Sequence, residues 1–269
     1  MSMTFACSVS HTPGITAWAD APPADLKERF YEAYGELRKK LEATEPDAIL
    51  IVSSEHFANF FLDCMPAFTL GVADNYFGPV EPWLKIEQGT SPGDPELSGR
   101  LLEACYAKGF ELNYANELKL DHGTMVPLSF LNPDRAIPVV PLIVNCMTYP
   151  LPQLSRCYEL GRVIGEALEA DSRRVAVVAA GGLSHAPGER IHGEIDTEFD
   201  ELFLQRLQDG DSEALQSYSD EELEKRGLGT HEIRTWITVA GISVGRDASV
   251  LFYEPVVAWA TGCGLLCYE

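Results

Sequence analysis

A chain of 269 residues, 46% of them hydrophobic, is long enough to bury one sizeable core. Its formal net charge of −21 repels phosphate backbones and anionic lipid headgroups, which excludes nucleic acid and membrane surfaces as partners. No run is apolar for long enough to span a bilayer, and the opening "MSMTFACSVSH" lacks the basic and apolar regions of a secretion signal, so a cytoplasmic location is expected.

In chain order, "MTFACSVS" is a short apolar run with alternation that predicts a strand ending directly on His11. Residues 25–43 read as a helix, with Leu26, Phe30, Leu37 and Leu41 at helical spacing after Pro22-Pro23 and with Asp25 as the candidate cap. "DAILIVSS" is the continuous β-branched run of a strand buried on both faces, and it ends on Glu55-His56. The Pro-, Gly- and Asp-rich stretch 66–95 predicts loops and short strands, followed by a helix near 95–108. "IPVVPLIV" at 137–144 is a further strand candidate, although its two prolines argue against a regular central strand.

Residues 153–170 resume helical periodicity, and "RVAVVAAGG" at 174–182 predicts a third buried strand with His185 just beyond it. From Asp196 the chain reads as helical, with a capping box of Ser219 and Glu222 and a stop at Gly227. A helix over 231–244 and a last strand over 249–254 complete the reading. No repeat or linker divides the chain, so residues 1–269 are expected to form one α/β domain. Its central sheet should be mixed, largely parallel and flanked by helices, with the site at the carboxyl ends of the strands. Seven cysteines at irregular spacing suit reduced thiols, and the lone Cys263/Cys267 pair is weak evidence for a metal.

Three of the six histidines, His11, His56 and His185, fall just after candidate strands. A single histidine there is more often structural than functional, but three at equivalent topological positions point to one site. His122 follows Asp121 in the Gly/Pro-punctuated "KLDHGTMVP", where the aspartate could serve as a turn former. His192, in the charged "GERIHGEID", reads as a solvated surface residue. "GTHEIRTW" sets His231 beside Glu232, and neighbours on a helix diverge by about 100°, so both cannot face one ion. Histidines with one carboxylate fit Zn²⁺ in a hydrolase or Fe²⁺ held by two histidines and an acid, and spacing does not separate the two. No phosphate-binding loop, H-E-x-x-H or G-x-S-x-G motif offers another chemistry.

Taken together, "SVSHTPG", "SSEHFANFFLDCMPAFTLGV", "LDHGTMVPLSFL", "IPVVPLIVN", "AAGGLSHAPG", "SDEELEKRGLGTHEIRTW" and "YEPVVAWATGCG" resemble the class III extradiol ring-cleavage dioxygenases. This is the group of the protocatechuate 4,5-dioxygenase β subunit, and the likeness is strongest to its 2,3-dihydroxyphenylpropionate 1,2-dioxygenases. The motifs occur in the family's order and cover nearly the whole chain. The resemblance implies a non-haem Fe(II) enzyme that opens the ring of a catechol-like substrate with both atoms of O₂. An aminophenol, a gallate derivative or a hydroxypyridine is the alternative substrate on the same fold.

By the same resemblance His11, His56 and Glu232 are iron ligands, and His122 and His185 are the acid–base pair, with His185 favoured as the base. Asp121 would orient His122, Glu55 would stand where the relatives carry an aspartate, and His231 would be a cap or a supporting residue. Relatives are homo-oligomers or carry a small second subunit. Three departures bear on the substrate: Glu55 itself, a shorter segment between "GGLSHAPG" and "IDTEF" that would reshape a lid, and Glu254 with Val257-Ala258 where the relatives have an arginine and a Pro-Glu pair. Glu254 in place of a basic residue argues against a carboxylate-bearing side chain if that position lines the pocket.

Overall fold

A computed structural model describes residues 3–269; Met1 and Ser2, part of the stretch read for a targeting signal, lie outside the described residues. In chain order the strands are β1 (Met3–Val9), β2 (Ala48–Ser54), β3 (Phe68–Gly71), β4 (Asn75–Gly78), β5 (Gly89–Pro92), β6 (Asn113–Ala115), β7 (Val139–Val144), β8 (Val175–Ala180), β9 (Ala248–Val256) and β10 (Thr261–Tyr268). Eight of them form one sheet in the order β6-β3-β7-β2-β8-β1-β10-β9, and β4 pairs with β5 in a separate ribbon. The middle strands β7, β2, β8 and β1 are mutually parallel, whereas β10, β9 and the β3–β7 pairing run antiparallel.

Both faces of the sheet are covered, which is why β2 and β8 are buried at every position and read as unbroken apolar runs. Side chains alternate between two cores: Leu50, Val52, Val177 and Ala179 face one, Ile49, Ile51, Ala176 and Val178 the other. Helices Pro95–Ala107, Leu154–Glu169, Thr197–Gln208 and Ile233–Ile242 pack on the first face, Ala24–Ala43 and His122–Leu131 on the second. No helix is long and apolar enough to cross a membrane.

Four details depart from the sequence reading. β7 is an interior strand despite its prolines, because its pairing with β3 ends at Leu142 and makes no demand on Pro141. The helix Ala24–Ala43 starts after Pro23 in an extended conformation, and Asp25 lies inside its first turn, where its charge favours the helix N-terminus, without capping it. The segment read as one helix over 231–244 is a 3₁₀ turn, Leu228–Glu232, followed by the α-helix Ile233–Ile242. The chain also has a strand beyond 249–254, since β10 lies between β9 and β1. The glycines that disguised it are places of close approach: a Cβ on Gly262 would come within 2.0 Å of the Asp200 carboxylate. The capping box of Ser219 and Glu222 forms as expected.

Candidate active site

The parallel strands β1, β2, β7 and β8 end along one edge of the sheet, and the chain just past three of them carries the histidines. His11 follows β1, His56 follows β2 and His185 follows β8, while His122 is the first residue of the helix that begins after Asp121. Glu232 closes the 3₁₀ turn Leu228–Glu232. At about 120° per residue in that turn, His231 and Glu232 point apart. His231 Nδ1 accepts from Arg234 at 2.9 Å, and burial followed by the Arg234 charge lowers its pKa to about 4. It is therefore a neutral part of the packing around Arg234, away from the other histidines.

The Glu232 carboxylate sits between two imidazoles. Oε2 is 3.0 Å from His11 Nε2 and Oε1 is 2.9 Å from His56 Nε2, and His185 Nε2 lies 3.7 Å from Oε2. Ser54 Oγ donates to Oε1 at 3.0 Å and the Gly182 N–H to Oε2 at 2.5 Å. Burial alone would raise the Glu232 pKa, but the His11 charge and the bonds from His11 and His56 outweigh it and hold the group well below the ordinary carboxylate range. His11, His56 and His122 each bring a ring nitrogen within 4.8 Å of one another. The donors able to hold an ion are thus these three imidazoles and one ionised carboxylate.

Each histidine is oriented by its neighbours. Asp121 Oδ2 accepts from His56 Nδ1 at 3.0 Å and Glu232 Oε1 from His56 Nε2 at 2.9 Å; burial would lower the His56 pKa, but the charges and hydrogen bonds of Asp121 and Glu232 outweigh it and raise it. The reading that paired Asp121 with His122 is corrected here: although Asp121 stands at the helix N-cap, its side chain caps nothing and reaches His56 instead. His122 Nδ1 bonds Glu81 Oε1 at 2.7 Å, and the His122 backbone N–H donates to the same oxygen at 3.2 Å. Glu81 reaches it because backbone bonds from Leu120 to Phe77 and from Val80 to Leu120 lay the β4 segment alongside the helix start. Burial, followed by the His56 charge, lowers the His122 pKa. His185 Nδ1 donates to the Leu183 carbonyl at 2.8 Å, turning Nε2 inward, and burial lowers its pKa as well.

Glu55 points away from the cluster. Its carboxylate accepts the backbone N–H groups of Ala58, Asn59 and Phe60 and so shapes the loop that carries His56. Two glycines let His185 sit where it does. A Cβ on Gly229 would lie 2.3 Å from His185 Nε2, and one on Gly182 would lie 2.2 Å from its Cε1.

Above the cluster opens a cavity of about 560 Å³ whose floor is His11, His56, His122, His185 and Glu232. Trp18, Met147, Pro187, Leu228, Ala258 and Trp259 contribute to its walls. His192, read as a surface residue, is exposed and stands at the rim. Glu254 does not line the cavity; it pairs with Arg29 at 2.9 Å. Sequence reasoning missed Glu81, Ser54 and Trp18. Ser54 lies within the strand run that ends on Glu55-His56 but carries no chemical signal of its own, and Glu81 and Trp18 lie outside any motif, so only the tertiary fold brings them here.

The family model for the catalytic LigB subunit of aromatic ring-opening dioxygenase matches residues 5–264. The chain belongs to this family. It is an enzyme of the ring-cleaving dioxygenase class. Among its relatives, the 2,3-dihydroxyphenylpropionate/2,3-dihydroxicinnamic acid 1,2-dioxygenase of Photorhabdus laumondii is 27% identical over 99% of this chain and 97% of that protein. The protein of the same name from Mycolicibacterium smegmatis is 33% identical over 67% of this chain and 56% of its own length. A crystal structure of an uncharacterized Escherichia coli K12 protein shares the fold at 16% identity, with a TM-score of 0.59 over 99% of this dioxygenase and all of the other chain.

Proposed function

We propose that this dioxygenase is a non-haem Fe(II) enzyme cleaving a catechol-like ring in extradiol fashion, with residues 1–269 acting as one catalytic domain. In this reading His11, His56 and Glu232 hold the iron, and His122 and His185 handle protons. What carries the reading is the Glu232 carboxylate lying 3.0 and 2.9 Å from the Nε2 atoms of His11 and His56. Two ligands at right angles on a cation with bonds of about 2.1 Å stand about 3.0 Å apart, so these separations suit neighbouring positions around one ion. Two neutral nitrogens and one anionic oxygen are a donor set that ferrous iron takes with open positions, and membership of a ring-opening dioxygenase family supports iron over zinc. Bound there, the iron would supply the one-electron chemistry that lets O₂ react with an aromatic diol.

The remaining work falls to the chain's own residues. His185, with its Nδ1 proton committed to the Leu183 carbonyl, presents an Nε2 lone pair to the cavity floor and accepts a proton from a ring hydroxyl. His122, held by Glu81 with its ring centroid 4.0 Å from that of His56, returns a proton as the ring opens. Asp121 keeps His56 in the tautomer a metal needs. The apolar walls keep bulk water from the reacting groups.

The relatives' printed names specify catechol-type diols, which supports such a ring here. Buried reduced thiols at six of the seven cysteines suit a cytoplasmic enzyme, and its assembly is proposed to be homo-oligomeric, with a small second subunit as the variant form. The deciding experiment reconstitutes the protein with Fe²⁺ without oxygen and mixes it with catechols and aminophenols while O₂ uptake and a yellow ring-fission product are followed. Turnover with Zn²⁺ but not Fe²⁺, or hydrolysis without O₂ uptake, would overturn the reading.

A further inference from the structure

The cavity above the cluster is built for a substituent without charge. Among the described residues lining it there is no lysine or arginine. Of the cations near its lining segments in sequence, Arg190 and Lys119 are exposed and lie outside the lining, and Arg226 and Arg234 are occupied elsewhere. Arg234 is buried and donates to the Pro152 carbonyl, His231 and Asp220, and Arg226 pairs with Asp196 at 2.9 Å. Arg29 is paired with Glu254, outside the lining. At the rim stands His192, with its Nδ1 turned to the Ala186 carbonyl at 3.3 Å.

The walls, by contrast, are apolar. Trp18, Met147 and Leu228 are 58%, 39% and 48% exposed, so they form an unburied apolar mouth that a ligand would cover. Trp18 is stacked on Trp83, ring centroids 5.8 Å apart, which braces its indole from outside the lining. A carboxylate drawn into this cavity would lose water and meet no lysine or arginine, and the net charge of −21 would oppose its approach. An alkyl or aryl group there would gain from burial in proportion to its area. The relatives' printed names, in contrast, specify diols with an acidic side chain.

We propose that the ring this enzyme accepts bears an apolar, uncharged substituent, so that its substrates are alkyl- or aryl-substituted catechols and not catechols with a carboxylate side chain. The proposal rests on the function given above, and its test separates the two. The Fe²⁺-reconstituted enzyme is titrated without oxygen with 3-phenylcatechol, 3-methylcatechol and 3-(2,3-dihydroxyphenyl)propionate, with binding read from quenching of tryptophan fluorescence. O₂ is then admitted and kcat/KM compared.

The apolar catechols should bind more tightly and react with kcat/KM at least about tenfold above the propionate. Equal or reversed preference in binding overturns the proposal, whatever the turnover. Binding in the expected order with no O₂ uptake leaves the preference established and refutes the dioxygenase mechanism instead. Met147→Arg, at a partly exposed wall position, should raise the relative affinity for the propionate about tenfold by supplying the missing cation. A correctly folded Met147→Arg enzyme with unchanged preference would show that the absent cation does not set selectivity, and the proposal would fall.

Discussion

Asp121 Oδ2 holds His56 Nδ1 at 3.0 Å across 65 residues of chain, while the histidine next to it in sequence turns to Glu81. The two carboxylates therefore serve different functions. Asp121 supports a proposed metal ligand and Glu81 a proposed proton carrier. Asp121→Asn should weaken Fe²⁺ binding about 10- to 100-fold, measured by metal titration and by iron content after dialysis. Glu81→Gln should keep full iron content and lose about tenfold in kcat. Equal iron loss in both variants would contradict this division.

Glu232 and His231 invite the same kind of comparison. Glu232→Ala removes the only anion among the converging donors and should abolish iron retention. His231→Ala should leave iron content near wild type, because that ring contacts Arg234 and not the cluster. Its cost should appear as a loss of about 1 kcal/mol in denaturant unfolding, since the buried Arg234 Nη1 loses its shorter bond and keeps only the one to the His231 carbonyl at 3.3 Å.

His185 is held by space as much as by hydrogen bonding. Gly229→Ala would place a methyl group 2.3 Å from its Nε2 and should push the ring out of the cavity. The expected outcome is a fall of about 100-fold in kcat with iron content and fold intact, checked by single-turnover kinetics alongside circular dichroism. A wild-type kcat would mean that His185 takes no part in proton transfer.

Asp200 sets a pH signature unrelated to the site's histidines. Burial raises its carboxyl to about 6, against bonds from Ser184 and Tyr253 that lower it. The unfolded chain should titrate there near 3.9, so between about pH 4 and 6 the folded state binds more protons and stability falls as pH rises. That contribution amounts to about 3 kcal/mol over the window and should be absent in Asp200→Asn, as read from urea midpoints at several pH values. Parallel pH profiles for the two proteins would refute it.

Much of this architecture was legible in the sequence, for physical reasons that differ by element. β2 and β8 announce themselves because a strand covered on both faces must be apolar throughout. β10 did not, because Gly262 and Gly264 sit where Asp200, Leu183 and Trp236 press against its backbone, and in sequence such glycines look like breaks. The three strand-end histidines could be found because parallel strands deliver their termini to one edge. Glu81 could not, since its meeting with His122 depends on the lie of an irregular segment against a distant helix.

The pairing of β1 with β10 has a consequence for how the enzyme comes into being. The Gly264 N–H donates to Ser10 Oγ, a contact spanning 254 positions, and Ser10 is the residue before His11. The first of the convergent histidines thus stays unbraced on one flank until a residue 254 positions beyond Ser10 has folded back to it. Closing a loop of that span is slow compared with local structure formation. A nascent chain should acquire its helices well before it can retain an ion, and metal loading becomes a report on completed folding.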